Sequence, residues 1–114
     1  MFDLKALDKE KHLRLTGVDN TLILQNMAYA SDRKLLYEIR TVVVRGFTDS
    51  EEEIRGIAGL IKSLNADSYF RLIPFRSLGV RTCLAKTEDL DEKTFKHFCQ
   101  IASNILGERL NFRL

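Results

Sequence analysis

The chain has 114 residues, 45% of them hydrophobic and 30% charged, a balance that suits one folded domain and excludes a disordered tail. Its 18 Lys and Arg against 16 Asp and Glu leave a formal charge of only +2, too little to argue for a nucleic-acid binder. Two cysteines make no disulfide framework, and no apolar run approaches the roughly 20 residues of a membrane span, so one cytoplasmic domain over 1–114, with no membrane segment, is expected.

The chain opens on a short apolar stretch, Met1-Phe2-Asp3-Leu4-Lys5, read as a first strand. A helix is expected from about Asp8 to Leu15, stopped by Gly17. A second starts with Asp19 or Asn20 as N-cap and carries Leu22, Ile23, Met27 and Ala30 on one face. Leu35 to Arg45 reads as a strand around Ile39, Val42, Val43 and Val44. Thr48, Asp49 or Ser50 caps the next helix, where Glu51, Glu52 and Glu53 complement the dipole and Ile54, Ile57, Ala58, Ile61 and Leu64 recur at helical spacing. Tyr69 to Ile73 is a strand ended by Pro74. A loop through Ser77, Gly79 and Cys83 leads to a last helix from about Asp91 to Leu106, closed by Gly107, and Leu110 to Leu114 adds a short strand. Strands alternating with helices imply an α/β fold with a mostly parallel sheet, whose crevice lies beyond the carboxyl ends of the strands.

Central parallel strands usually read as near-continuous apolar runs. Here Asp3 and Lys5 leave one face of the first strand, Arg40 shares a face with Val42 and Val44, and Arg76 and Arg81 follow the third strand. Asp3 and Lys5 either pair with each other, lie exposed at a frayed terminus, or belong to a concave site of carboxylate, ammonium and guanidinium groups, and Arg40 is alternatively an edge or strand-end arginine. Such a site suits a ligand bearing both an amino group and a carboxylate. The other candidates favour structural roles. Cys99 lies on the apolar stripe of Phe95, Phe98 and Ala102, while His97 points to the charged side of its helix. His12 sits in the charged run Lys9-Glu10-Lys11-His12, where a surface or capping role is expected. The acid run Asp49 to Glu53 is a helix start rather than a metal site, and no catalytic or metal-ligating set can be assembled.

Three segments resemble the pyruvate formate-lyase activating enzymes. The first runs from Phe2-Asp3-Leu4-Lys5 through Asp8-Lys9-Glu10-Lys11-His12 to Leu15-Thr16-Gly17-Val18-Asp19-Asn20. The second is Ile39-Arg40-Thr41-Val42-Val43-Val44-Arg45-Gly46-Phe47-Thr48-Asp49, matching Ile-Arg-x-Val-Val-Val-Pro-Gly-x-x-Asp. The third is Leu72-Ile73-Pro74-Phe75-Arg76-Ser77-Leu78-Gly79, matching Leu-Leu-Pro-Tyr-His-x-Leu-Gly. Arg45 replaces the family's frequent proline and Arg76 its histidine, which suggests a different branch of glycyl-radical activases.

The resemblance implies half of a partial (β/α)6 barrel, with three to four mostly parallel strands, from a radical S-adenosylmethionine oxidoreductase that installs a glycyl radical on a partner such as pyruvate formate-lyase. It implies cofactor contacts from Asp3 and Lys5, matched to the family's Asp-x-Lys motif, and from Arg76. Arg40 is implied to line the substrate side. The family's [4Fe-4S] cluster is held by a Cys-x3-Cys-x2-Cys loop, which Cys83 and Cys99 cannot replace. The expectation is therefore the C-terminal half of an activase, inactive alone, with a possible homodimer through the Phe2–Lys5 edge. The alternative is a stand-alone, non-enzymatic α/β binding or regulatory module.

Overall fold

In the computed structural model, which describes residues 2–64, 68–75 and 90–112, four strands form one sheet with every neighbouring pair parallel. The order along the chain is β1 (Phe2–Asp3), α1 (Lys9–Thr16), α2 (Thr21–Asp32), β2 (Glu38–Val43), α3 (Glu51–Ser63), β3 (Tyr69–Pro74), α4 (Glu92–Leu106), a 3-10 turn and β4 (Leu110–Phe112). Spatial order equals sequence order, β1-β2-β3-β4, so the sheet is wound in one direction with no reversal.

Local chemistry places the helix starts. The side chains of Asp8, Ser50 and Asp91 accept from the backbone N–H three residues on, at Lys11, Glu53 and Thr94. Gly17 ends α1 with φ 85°, a left-handed conformation that costs glycine little. At α2 the formal N-cap residue is Asn20, but the capping oxygen is the Asp19 carboxylate, 3.0 Å from Thr21 N–H.

Three expectations are corrected by the structure. The first strand ends at Asp3, so Lys5 lies in the connection that follows it rather than on the strand. The second strand is shorter than Leu35 to Arg45, because Lys34 turns the chain at φ 57° and Leu35 and Tyr37 are exposed before pairing begins at Glu38. The apolar face of α2 is narrower than expected as well: Met27 and Ala30 are buried, but Leu22 is 67% exposed.

Alternation along the strands divides the sheet into unlike faces. Ile39, Thr41, Val43, Phe70 and Leu72 are buried, and the apolar members of this set pack in one core with α2, α3 and α4. The opposite face carries Asp3, Glu38, Arg40, Val42, Tyr69, Arg71 and Ile73, all half-buried or exposed. Among the described residues no helix packs on this face, the bare face of the sheet. Arg109 closes the far end of the domain, donating from Nε to the Ser68 carbonyl at 2.8 Å.

The Asp91 cap predicts a pH response. Hydrogen bonds from the Thr94 side chain and backbone hold its carboxyl below the ordinary 3.8. Glu51 is lowered from 4.5 by His97 and then Arg55, and Asp19 from 3.8 by the Thr21 backbone. A carboxyl lowered on folding contributes stability that is present above its unfolded value and lost as pH falls through its folded value. Thermal midpoints should therefore decline as pH drops below about 4. Asp91→Ala should melt lower than the parent at pH 5 and lose less between pH 5 and pH 3. Parallel curves for the two proteins would contradict the role of the cap.

Candidate functional site

The β1–α1 connection, residues 4–8, lies at the carboxyl end of β1, where a parallel α/β sheet presents its site. Its backbone is held at nearly every step. Leu4 N–H donates to the Arg40 carbonyl at 2.9 Å, and the buried Thr41 hydroxyl donates to the Leu4 carbonyl at 2.8 Å. Asn20, 1% exposed, donates from Nδ2 to the Ala6 and Leu7 carbonyls at 3.1 and 2.7 Å. The buried Glu53 carboxylate of α3 accepts from the Leu7 and Asp8 amides. Gly56 of α3 admits the Leu7 side chain, since a Cβ there would meet Leu7 Cδ2 at 2.5 Å.

This frame carries Asp3 and Lys5. The two line a cleft of about 390 Å³ with Phe2, His12, Leu22 and Ile23 among its other walls. Among the described residues neither Asp3 nor Lys5 takes part in an ion pair, so the alternative in which they neutralise each other is not what the structure adopts. A carboxylate and an ammonium held apart at a cleft suit a zwitterion with the complementary pair of charges.

Of the surface and capping roles expected of His12, the structure rules out the first. It is 5% exposed, and its Nδ1 lies 2.9 Å from the Val18 carbonyl just past the Gly17 end of α1. That carbonyl can only accept, so Nδ1 is the donor in this contact. His97 is exposed on the charged side of its helix, as expected, with Nε2 2.6 Å from Glu51 Oε1.

Arg40 lies on the bare face, in register with Asp3 on one side and Arg71 on the other. Its Nε is 2.6 Å from Glu38 Oε1, and Arg71 Nη1 lies 3.9 Å from the same oxygen. Sequence reasoning named Arg40 but missed Glu38, Arg71, Asn20 and Glu53. Alternation in Tyr69-Phe70-Arg71-Leu72 was the available signal for Arg71. Arg76, Arg81 and Cys83 fall outside the described residues.

Cys99 is buried in the core, and loss of water around it pushes its thiol up to about 11, which suits packing better than metal binding. Among the described residues no three His, Cys, Asp or Glu side chains are grouped to hold a metal ion. The chain has two cysteines in all, so an iron–sulfur cluster needing three thiolates does not fit on its residues alone. Asp3 and Lys5 are the charged residues of this cleft whose chemistry complements an amino-acid group. No helix among the described residues is long and apolar enough to cross a membrane.

No family model matches the sequence. The chain is 40% identical over 82 residues to the isethionate sulfite-lyase activating enzyme of Oleidesulfovibrio alaskensis, covering 70% of this chain and 26% of that protein. It is 38% identical over 80 residues to pyruvate formate-lyase-activating enzyme of Staphylococcus aureus, covering 70% of this chain and 32% of the other. The match thus spans between a quarter and a third of the length of these curated relatives. In fold, a crystallised domain of pyruvate-formate lyase-activating enzyme from Bacteroides vulgatus superposes with a TM-score of 0.82 at 24% identity, over 98% of this chain and 65% of that one. A radical SAM methyltransferase from Sphaerobacter thermophilus gives 0.69 at 18% identity, over 97% of this chain and 32% of that one. In sequence and in fold, this chain is a relative of the pyruvate formate-lyase activating enzymes.

Proposed function

We propose that the chain is the carboxyl-terminal portion of a radical S-adenosylmethionine activase, supplying half of a partial (β/α)6 barrel and the groups that hold the methionyl end of the cofactor. The observation that carries this reading is the separation of Asp3 and Lys5, unpaired among the described residues, on a backbone pinned by Thr41, Asn20 and Glu53. A stand-alone binding or regulatory module has no evident reason to hold these charges apart at a cleft.

The one-directional strand order and the helices packed on a single face support the barrel. A sheet wound in one sense curls round its bare face, which becomes the interior. In that setting Asp3 accepts from the ligand ammonium and Lys5 donates to its carboxylate. Arg76 is placed near the cofactor and Arg40 on the partner side by the same reading. A reduced [4Fe-4S] cluster, whose three thiolate ligands this chain does not carry, would supply one electron to cleave bound S-adenosylmethionine, and the adenosyl fragment would carry away the hydrogen atom taken from a glycine of the partner enzyme. The residues of this chain bind and orient the cofactor and exclude water from it, and on this reading the chain alone does not turn over. A homodimer through the Phe2–Lys5 edge of the chain taken by itself belongs to the same proposal, since β1 has one neighbour among the described strands.

Calorimetric titration with millimolar S-adenosylmethionine tests the reading. The parent should give saturable heat, and Asp3→Ala should weaken binding about tenfold, the worth of one charge-assisted hydrogen bond. No heat, or heat that Asp3→Ala leaves unchanged, would count against it.

A further inference from the structure

The two ring nitrogens of His12, a residue only 5% exposed, stand in unlike surroundings. Nδ1 lies 2.9 Å from the Val18 carbonyl. The Thr16 hydroxyl is 2.8 Å from both the His12 and the Val18 carbonyls and gives its one proton to a carbonyl, so it does not supply Nδ1. Nδ1 therefore carries a proton, and in the neutral ring Nε2 is a bare acceptor. Among the described residues no hydrogen bond reaches Nε2. Every fully enclosed side-chain nitrogen or oxygen among those residues has a partner, so Nε2 is not enclosed and sits at the small open part of the ring. The opening that His12 lines is the cleft it shares with Asp3 and Lys5. A capping role at the end of α1 accounts for Nδ1 and leaves Nε2 without a purpose.

We propose that His12 is a second acceptor for an ammonium group bound in this cleft, with Nε2 and the Asp3 carboxylate dividing its donors between them. The proposal rests on reading Asp3 and Lys5 as ligand groups, and it adds how the two ends of the ligand are told apart. An ammonium has three donors and no acceptor, so one carboxylate leaves a donor to place. Lys5 can only donate, which reserves it for the ligand carboxylate. Half-buried Phe2 and Ile23 offer apolar surface to the stem of the ligand. Acid reverses the His12 contact. A protonated ring has two N–H donors and no acceptor, and it repels an ammonium. The charged groups about the ring are Lys9 on its own helix, Asp19 on the α1–α2 turn, and Asp3 and Lys5 in the cleft. The Thr21 backbone N–H holds the Asp19 carboxyl below the ordinary 3.8, so Asp19 keeps its charge near neutrality. Of these residue types imidazole alone ordinarily changes charge between about pH 5 and 8.

The test is a nuclear magnetic resonance titration of the full chain with two part-structures of methionine. One is γ-(methylthio)propylamine, which keeps the ammonium; the other is γ-(methylthio)butyrate, which keeps the carboxylate. The amine should move the His12 ring signals and bind about fourfold more weakly at pH 6 than at pH 8, while the acid should not weaken. His12→Asn keeps an amide N–H in the place of Nδ1 and nothing in the place of Nε2. It should melt near the parent, bind the amine about fivefold more weakly at pH 8 with a flattened pH profile, and bind the acid unchanged. No binding of the amine, an affinity independent of pH in the parent, or amine and acid weakened alike in His12→Asn would overturn the contact. Should His12→Asn fail to fold, the pH profile of the parent decides. S-adenosylmethionine on the same samples separates the two readings. If it fails to bind while the amine keeps its pH profile, the cofactor reading falls and the ammonium contact stands. If its binding weakens in Asp3→Ala but not in His12→Asn, the contact falls and the cofactor reading stands.

Discussion

Phe70→Ala should destabilise the domain by about 4 kcal/mol and lower its thermal midpoint by roughly 15 °C. Phe70, the second residue of β3, is fully buried between Ile39 of β2 and Leu110 of β4, and is among the largest side chains with no exposure. Removing the ring takes apolar surface from the core and leaves a cavity that two flanking strands cannot close without losing their register. The same truncation on the opposite face should cost far less. Ile73→Ala, two pleats away from Arg71 on the bare side, should cost only about 1 kcal/mol, because its side chain is half-buried already. Urea unfolding of the two variants measures the contrast. Equal losses would mean that the bare face is as well packed as the core, and the one-sided architecture would be wrong.

Glu53→Ala should cost about 3 kcal/mol although it removes no apolar contact of note. Its carboxylate receives the Leu7 and Asp8 amides across 46 and 45 positions of sequence, and both donors lose their acceptor when it goes. Hydrogen bonds to a charged group are worth more than neutral ones, and a donor left without a partner costs more than an absent pair. Glu53→Gln keeps one acceptor oxygen and should lose about half as much. The variant has a second expected effect. The loop it frees follows Lys5 directly, so S-adenosylmethionine binding should weaken in Glu53→Ala even at temperatures where the variant remains folded. Rescue of both stability and binding by Glu53→Gln would identify Glu53 as a positioning residue; recovery of stability alone would confine it to the fold.

The features legible in the sequence are the ones decided locally. Asp8, Ser50 and Asp91 act within one helical turn, and Gly17 and Pro74 act on their own backbone, so these boundaries follow from residue type. The β1 motif was visible because Asp3 and Lys5 are two apart on what reads as a strand. What stayed hidden depends on distant partners. Asn20 reads as a helix cap, yet its side chain is spent on carbonyls 13 and 14 residues earlier, and Asp19 caps in its place. Glu53 reads as one of three dipole-complementing glutamates, and only packing of α3 against residues 7 and 8 distinguishes it. His12 looks exposed in its charged run because the turn that covers it comes six residues later. Arg71 is marked in the sequence only by alternation along its own strand. The strict alternation of Glu38-Ile39-Arg40-Thr41 and Tyr69-Phe70-Arg71-Leu72 argues that one face is bare.

The account stands on the claim that the pinned end of β1 is built to receive the amino-acid end of a cofactor. Mapping the backbone amide signals of the full chain during a millimolar S-adenosylmethionine titration tests that claim most directly. The account predicts saturable shifts concentrated at residues 3–8 and at Thr41 to Val43, lost together in Asp3→Ala. Shifts confined to the outer faces of α3 and α4, or no saturable shift at all, would contradict it.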